Sequence, residues 1–239
     1  MLDVRKCAID FTRMREGVRK QLEEMQKYRV FEVALRQEDL ESYITRRVSH
    51  LPDDMRQEVA DVLLKCATVI DAAREEIKKR EIEGAGYLMY PAKVYDCDPE
   101  TLTWLVGDSK WKNYSSSIGS YLREIKWLFG IDESGPWAVR VPSTCQTVKE
   151  AFDWLKPAAV KQAEEEGRWV ARQGDVYLVE LKTSKVNIDD LPESHRYDAE
   201  TRTFYHDGHA PVVVPEHVKG VRAFAQSQIS SYGRRLYAD

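Results

Sequence analysis

No long uncharged apolar run occurs in this chain: its 239 residues include 36 Lys and Arg and 40 Asp and Glu, interleaved over most of the length. A membrane span needs about eighteen or more consecutive apolar residues, and nothing approaches that. The first residues, MLDVRKCAIDFTRMREG, are charged every few positions and lack the apolar core of a secretory signal. These absences lead us to expect a cytoplasmic protein with no membrane partner. Cysteine is sparse, and Cys7, Cys66, Cys97 and Cys145 stand far apart with no Cys-x-x-Cys arm, which argues against a zinc ribbon or finger. Missing too are the Gly-x-x-x-x-Gly-Lys phosphate loop, the Gly-x-Gly-x-x-Gly dinucleotide turn and the Gly-x-Ser-x-Gly elbow. ATPase, Rossmann oxidoreductase and α/β-hydrolase chemistry therefore lack their parts. Internal repeats and low-complexity tracts are absent. With a net charge of −4, there is no global basic excess, and any nucleic-acid surface must rest on a local patch.

A chain this long can bury a real core without disulfide or metal staples. Val59, Val62, Leu63, Cys66, Val69, Ile70, Ala73 and Ile77 recur at the 3-4 spacing of one helix face, with Pro52 and Asp53 at its start and Gly84 and Gly86 at its end. A second helix is predicted from about Val4 to Val33 and a shorter one from Glu38 to Val48; three such helices would form an antiparallel bundle. YLMYPAKVYDCDPE reads as extended, because Pro91 disfavours a helix interior and Tyr and Val favour strands. SSSIGSYLREIKWLFG, with Ile118, Tyr121, Leu122, Ile125, Leu128 and Phe129 on a shared stripe, reads as a helix closed by Gly130. Another helix is predicted from Thr147, interrupted at Pro157 and ended at Gly167. From Arg168 onward, RWVARQGDVYLVELK reads as a hairpin with its turn at Gln173-Gly174, and RTFYHDGHAPVVV, HVKGVRAF and RRLYAD read as further strands. The expected fold class is α+β: a helical N-terminal body followed by a smaller antiparallel β-rich C-terminal unit. The divisions fall at 1–84 (helical bundle), 85–135 (a mixed segment with the aromatic-basic helix) and 136–239 (a helix plus the β-rich unit).

RQGDVYLVELKTSKVNIDDLP, followed by YHDGHAPVVVP, resembles the RQGDVLLVP…LP…GHAH pattern of uncharacterised proteins encoded by phages, plasmids and haloarchaeal elements. Upstream, VRVPSTCQTVKEAFDWLKP is similar in character. No activity is attached to that pattern, so no site residue transfers. The resemblance implies residence on a mobile element, and with it roles in phage–host conflict or nucleic-acid metabolism.

Three constellations are candidates for chemistry. Asp175, Glu180 and Lys182 are residue types of a Mg²⁺-dependent nuclease core, where two acids hold the metal and a lysine steadies the phosphate or the attacking water. Glu180 and Lys182 share a strand face, but Asp175, an odd number of positions away, would face the opposite side. Asp96 or Asp98 would then have to supply the second acid, and the alternative is a hairpin with charged edges. His195, His206, His209 and His217 crowd one short window. If the Asp207-Gly208 turn folded their rings inward, His206, His209 and His217 could bind Zn²⁺ or a similar ion. In WLVGDSKWKNYSSSIGSYLREIKW, Lys110, Lys112, Arg123 and Lys126 alternate with Trp104, Trp111, Tyr114, Tyr121 and Trp127. Cations there could hold phosphates while aromatics such as Trp111 stack on bases; the alternative is an amphipathic helix with aromatics in the core. The preferred expectation is a mobile-element accessory protein that binds nucleic acid or a nucleoprotein complex. The rivals are a metal-dependent nuclease or hydrolase and a regulator or inhibitor that binds another protein.

Overall fold

A computed structural model describes residues 2–27, 40–79, 92–108, 111–115, 119–189, 191–229 and 235–236; over 26–27, 111–123 and from 229 onward it is the backbone alone that is described. The chain divides into two compact units, Met1–Ala151 and Phe152–Asp239. The fold is α+β with largely antiparallel sheets. Among the described residues, no helix is long and apolar enough to cross a membrane.

In the first unit, a short 3-10 turn at Val4–Lys6 precedes helices α1 (Glu16–Lys27), α2 (Leu40–Val48) and α3 (Asp53–Lys79). The predicted stripe of α3 is buried in full, from Val59 to Ile77. Asp53 and Asp54 lie in its first turn and Lys78 and Lys79 in its last, each sign matching the helix dipole. The expected helix from Val4 starts only at Glu16. Asp10 competes with it: its Oδ1 accepts from the N–H groups of Thr12 (3.0 Å) and Arg13 (3.2 Å), holding a turn that a helix would abolish. The far end of that predicted helix, and Glu38, lie outside the described residues.

Strands β1 (Ala92–Asp98), β2 (Thr103–Asp108), β5 (Lys126–Asp132) and β6 (Gly135–Val141) form an antiparallel sheet in the order β1-β2-β5-β6. Strands β3 (Trp111–Ser115) and β4 (Gly119–Arg123) pair with each other as a two-stranded ribbon between β2 and β5. The helix expected over SSSIGSYLREIKWLFG is therefore replaced by strands. The same letters carry a second period: Ile125, Trp127 and Phe129 alternate into the core, joined by Ile131. Trp127 fits that two-residue period and not the helical stripe. Ladder pairing of Trp104 with Phe129 and Val106 with Trp127 decides between the two readings. Trp104, Val106, Trp127 and Phe129 share one core with the buried stripes of the helices, so helices cover one face of this sheet. Among the described residues, six strands precede Arg168 and nine follow it.

Helix α4 (Val148–Leu155) spans the division between the units, and α5 (Ala158–Glu165) follows Pro157, as the interruption there predicted. The second unit then builds β7 (Val170–Gln173), β8 (Val176–Leu181), β9 (Val186–Asn187), β10 (His195–Asp198), β11 (Thr203–His206), β12 (His209–Val213) and β13 (Gly220–Ala225), with a short β14–β15 pair (Gln228–Ile229, Arg235–Leu236). One sheet runs β7-β8-β13-β9, antiparallel except for β9 against β13; the other runs β10-β11-β12. Strand β8 is apolar without alternation because both its faces are covered. Val176 and Leu178 pack with Phe204, Val218 and Val221, while Tyr177 and Val179 pack with Val160 and Ala163 of α5.

Candidate functional site

The hairpin that carries Glu180 forms, but Gln173 pairs with Val176, so its two-residue turn is Gly174-Asp175, one residue beyond the predicted Gln173-Gly174. Gly174 has φ +59, and among the described residues no positive φ is found at Asp175, the arrangement of a II′ turn, which matches the twist of the flanking strands. The hairpin does not assemble an acid–acid–lysine core. Glu180 Oε2 accepts from the Trp169 N–H (3.0 Å), and the Glu180 carbonyl accepts from Arg168. Lys182 is exposed beyond the end of β8 and pairs with Glu166 at 3.2 Å, a contact that holds the Glu166 carboxyl below its usual range. Asp175 sits exposed in the turn. The acids that might have completed the set have other work: Asp96 Oδ2 accepts from the Val148 N–H at the start of α4 (2.8 Å), and Asp98 Oδ1 accepts from Glu100 N–H (2.9 Å).

The basic–aromatic run separates into two parts. Trp104, Trp127 and Lys126 are fully buried. Lys126 Nζ donates to the Cys145 carbonyl (2.6 Å) and lies 3.9 Å from the Tyr95 ring centroid, where Lys93 also contacts the same ring. Burial pushes the Lys126 pKa down, with Glu124 opposing. Tyr95 reaches this position from a bulge in β1, where the register shifts between Val94 and Asp96. Lys126 is thus a core cation, correcting the expectation that it meets a phosphate. Trp111, Lys112 and Arg123 lie on the ribbon, where the Trp111 position pairs with Arg123 and Lys112 with Leu122. Lys110, and the side chains of Trp111, Lys112 and Arg123, lie outside the described residues.

The histidine window holds the most ordered grouping. The β11–β12 turn at Asp207-Gly208 makes His206 and His209 cross-strand partners, and His195 pairs with His206 from β10. Their rings lie in file, with centroids 4.4 Å apart from His195 to His206 and 4.6 Å from His206 to His209. The inner face continues with Tyr197 against Phe204 at 4.6 Å. His217 is exposed in the turn after Pro215, and among the described residues no ring contact joins it to the file. His206 and His209 stack, 30° apart in plane, and His195 tilts at 45° to His206, a file of ring contacts that differs from the converging nitrogen donors that Zn²⁺ takes.

No protein-family model, curated protein or solved structure matches this chain. Its site must be read from its own residues.

Two residues of that site escaped the sequence reading. His195 was grouped with the other histidines but not paired with His206; the signal was the turn after Asp198, whose four-residue hairpin loop, 199–202, sets that register. Gln173 is buried, and its amide donates to the carbonyls of Phe204 (3.2 Å) and Ala210 (2.7 Å), tying β7 to β11 and β12. Its Oε1 has no hydrogen-bond partner among the described residues. The four thiols are all buried, with Cys66 and Cys97 pushed up to about 12 by desolvation, which makes poor nucleophiles of them.

Proposed function

We propose that the protein acts by binding nucleic acid, alone or within a nucleoprotein complex, as an accessory protein of a phage-like element, and that the β3–β4 ribbon is the contact surface. One observation carries this reading. Among the described residues, β3 and β4 pair only with each other, while positions 109–123 hold Lys110, Lys112 and Arg123 with Trp111, Tyr114 and Tyr121 and no acidic residue. Two-stranded ribbons are of a size to enter a major groove, and aromatics alternating with cations suit stacked single strands. Against a chain of net charge −4, this is a local cationic element of the kind phosphate backbones recruit. Binding is preferred to cleavage because Glu180 and Lys182 are engaged with Trp169 and Glu166.

The test is a charge reversal of the ribbon. Lys110→Glu, Lys112→Glu and Arg123→Glu together are expected to abolish binding to labelled single- and double-stranded oligonucleotides in fluorescence anisotropy, with an unchanged melting temperature. Undiminished binding by the folded triple variant would move the contact surface elsewhere.

A further inference from the structure

The register of the β3–β4 ribbon fixes which residues share a face. Trp111 pairs with Arg123 and Asn113 with Tyr121, alternating with Lys112 against Leu122 and Tyr114 against Ser120. Opposed residues, and residues two apart along a strand, fall on one face. One face therefore carries Trp111, Arg123, Asn113 and Tyr121, and the other Lys112, Leu122, Tyr114 and Ser120. Trp111 and Tyr121 are diagonal neighbours on the first face, and such positions stand about 7–8 Å apart. A planar base between two rings needs two stacking gaps of about 3.4 Å each, the spacing of bases along a duplex strand, so one base suits that separation. Within a duplex, both faces of a base are covered by its neighbours, and a ribbon in a groove meets base edges alone. Only an unpaired strand offers base faces along its length.

Charge points to the same occupant. Positions 109–123 hold three cations, Lys110, Lys112 and Arg123, and no acid. The acids that flank them are engaged at the sheet. Asp108, 1% exposed, accepts from the Ile125 N–H (2.9 Å), and Glu124 accepts from the Tyr95 hydroxyl and lies 3.9 Å from Lys126 Nζ. A polyanion is thus matched by the ribbon's own charge. We propose that the ribbon is selective for single-stranded nucleic acid, taking an unpaired base between Trp111 and Tyr121, with Asn113 for the base edge and Arg123 for the adjoining phosphate. The inference rests on the reading of the ribbon as the nucleic-acid contact and goes beyond it by excluding the duplex. DNA and RNA strands share the base faces and phosphates that this chemistry needs, and the 2′-hydroxyl separates them.

Anisotropy titrations of the whole chain test this with labelled probes of one length at one salt concentration: single-stranded DNA, the same sequence as RNA, the DNA duplex, and a strand with abasic sites in place of its bases. The single strands, DNA or RNA, are expected to bind about tenfold or more tightly than the duplex and the abasic strand. Tighter binding of one strand type than the other identifies the source and supports the proposal equally. Trp111→Ala is expected to weaken single-strand binding about 5–150-fold and to leave its salt slope intact, while Trp111→Phe keeps most of the affinity. Should Trp111→Ala not fold, the comparison with the abasic strand decides on the wild type. A duplex or abasic strand bound as tightly as the single strands, or a folded Trp111→Ala with wild-type affinity, would overturn the inference and leave the ribbon's phosphate contact standing. No binding to any probe would end both and leave the ribbon to a protein partner.

Discussion

Burying an ammonium group costs several kcal/mol unless its charge is met, and Lys126 is met on several sides: by the Cys145 carbonyl, by the face of Tyr95, and by Glu124 at 3.9 Å. Desolvation still depresses its pKa. A depressed lysine favours the folded state most above the ordinary value of about 10.4, and that gain is lost as pH falls through the folded value. Urea unfolding of the wild type and Lys126→Met should therefore show the wild type gaining on the variant as pH rises toward the ordinary lysine value of about 10.4; parallel pH dependences would mean that Lys126 is not desolvated as described. Glu180 makes the opposite kind of case, a residue with a catalytic look and a structural task. Glu180→Ala removes the acceptor of the Trp169 N–H and should cost about 1–3 kcal/mol, a loss that Glu180→Gln should largely avoid. Neither the wild type nor the variants should cut DNA or RNA with Mg²⁺ or Mn²⁺. Cutting that Glu180→Ala abolishes would restore the nuclease reading.

At the scale of elements, the β7–β8 hairpin depends on one backbone choice. Gly174 adopts φ +59, and a methyl group there would meet the His209 ring. Gly174→Ala should cost about 1–2 kcal/mol for the left-handed backbone alone and more because His209 must move; thermal melting reads the loss, and an unchanged midpoint would show the turn to be wrong. Such turns were legible in the sequence, as was α3, because Gly, Pro and a long 3-4 stripe each admit few alternatives. The stretch from Ser115 to Gly130 was not, because Ile125, Leu128 and Phe129 satisfy a helical stripe while Ile125, Trp127 and Phe129 satisfy a strand. Only the ladder with β2 chooses between them. The same limit hid the pairing of His195 with His206, which depends on the register of a hairpin loop, and the role of Gln173, which depends on contact between sheets. Lys126 shows the converse: its sequence neighbours suggested a phosphate contact, and its pleat position turns it to the sheet face opposite Trp127, where the Cys145 carbonyl and the Tyr95 ring enclose it.

On the scale of the whole molecule, charges of both signs are spread along the chain and largely engaged at its surface, with Arg15 paired to Glu58 and Lys156 to Glu164 among many exposed contacts. The ribbon stands apart from that balance, since its sequence holds cations and aromatics without an acid. If it grips a phosphate backbone, ionic strength must weaken the complex by release of condensed counterions. The most direct measurement is the affinity of the wild type and of Lys112→Ala for one labelled oligonucleotide across a series of salt concentrations. The account predicts a steep linear fall of log affinity with log salt, and a slope shallower by about 0.7–0.9 in the variant. A wild type without salt-sensitive binding to any single- or double-stranded DNA or RNA, or a variant with the full wild-type slope, would contradict it.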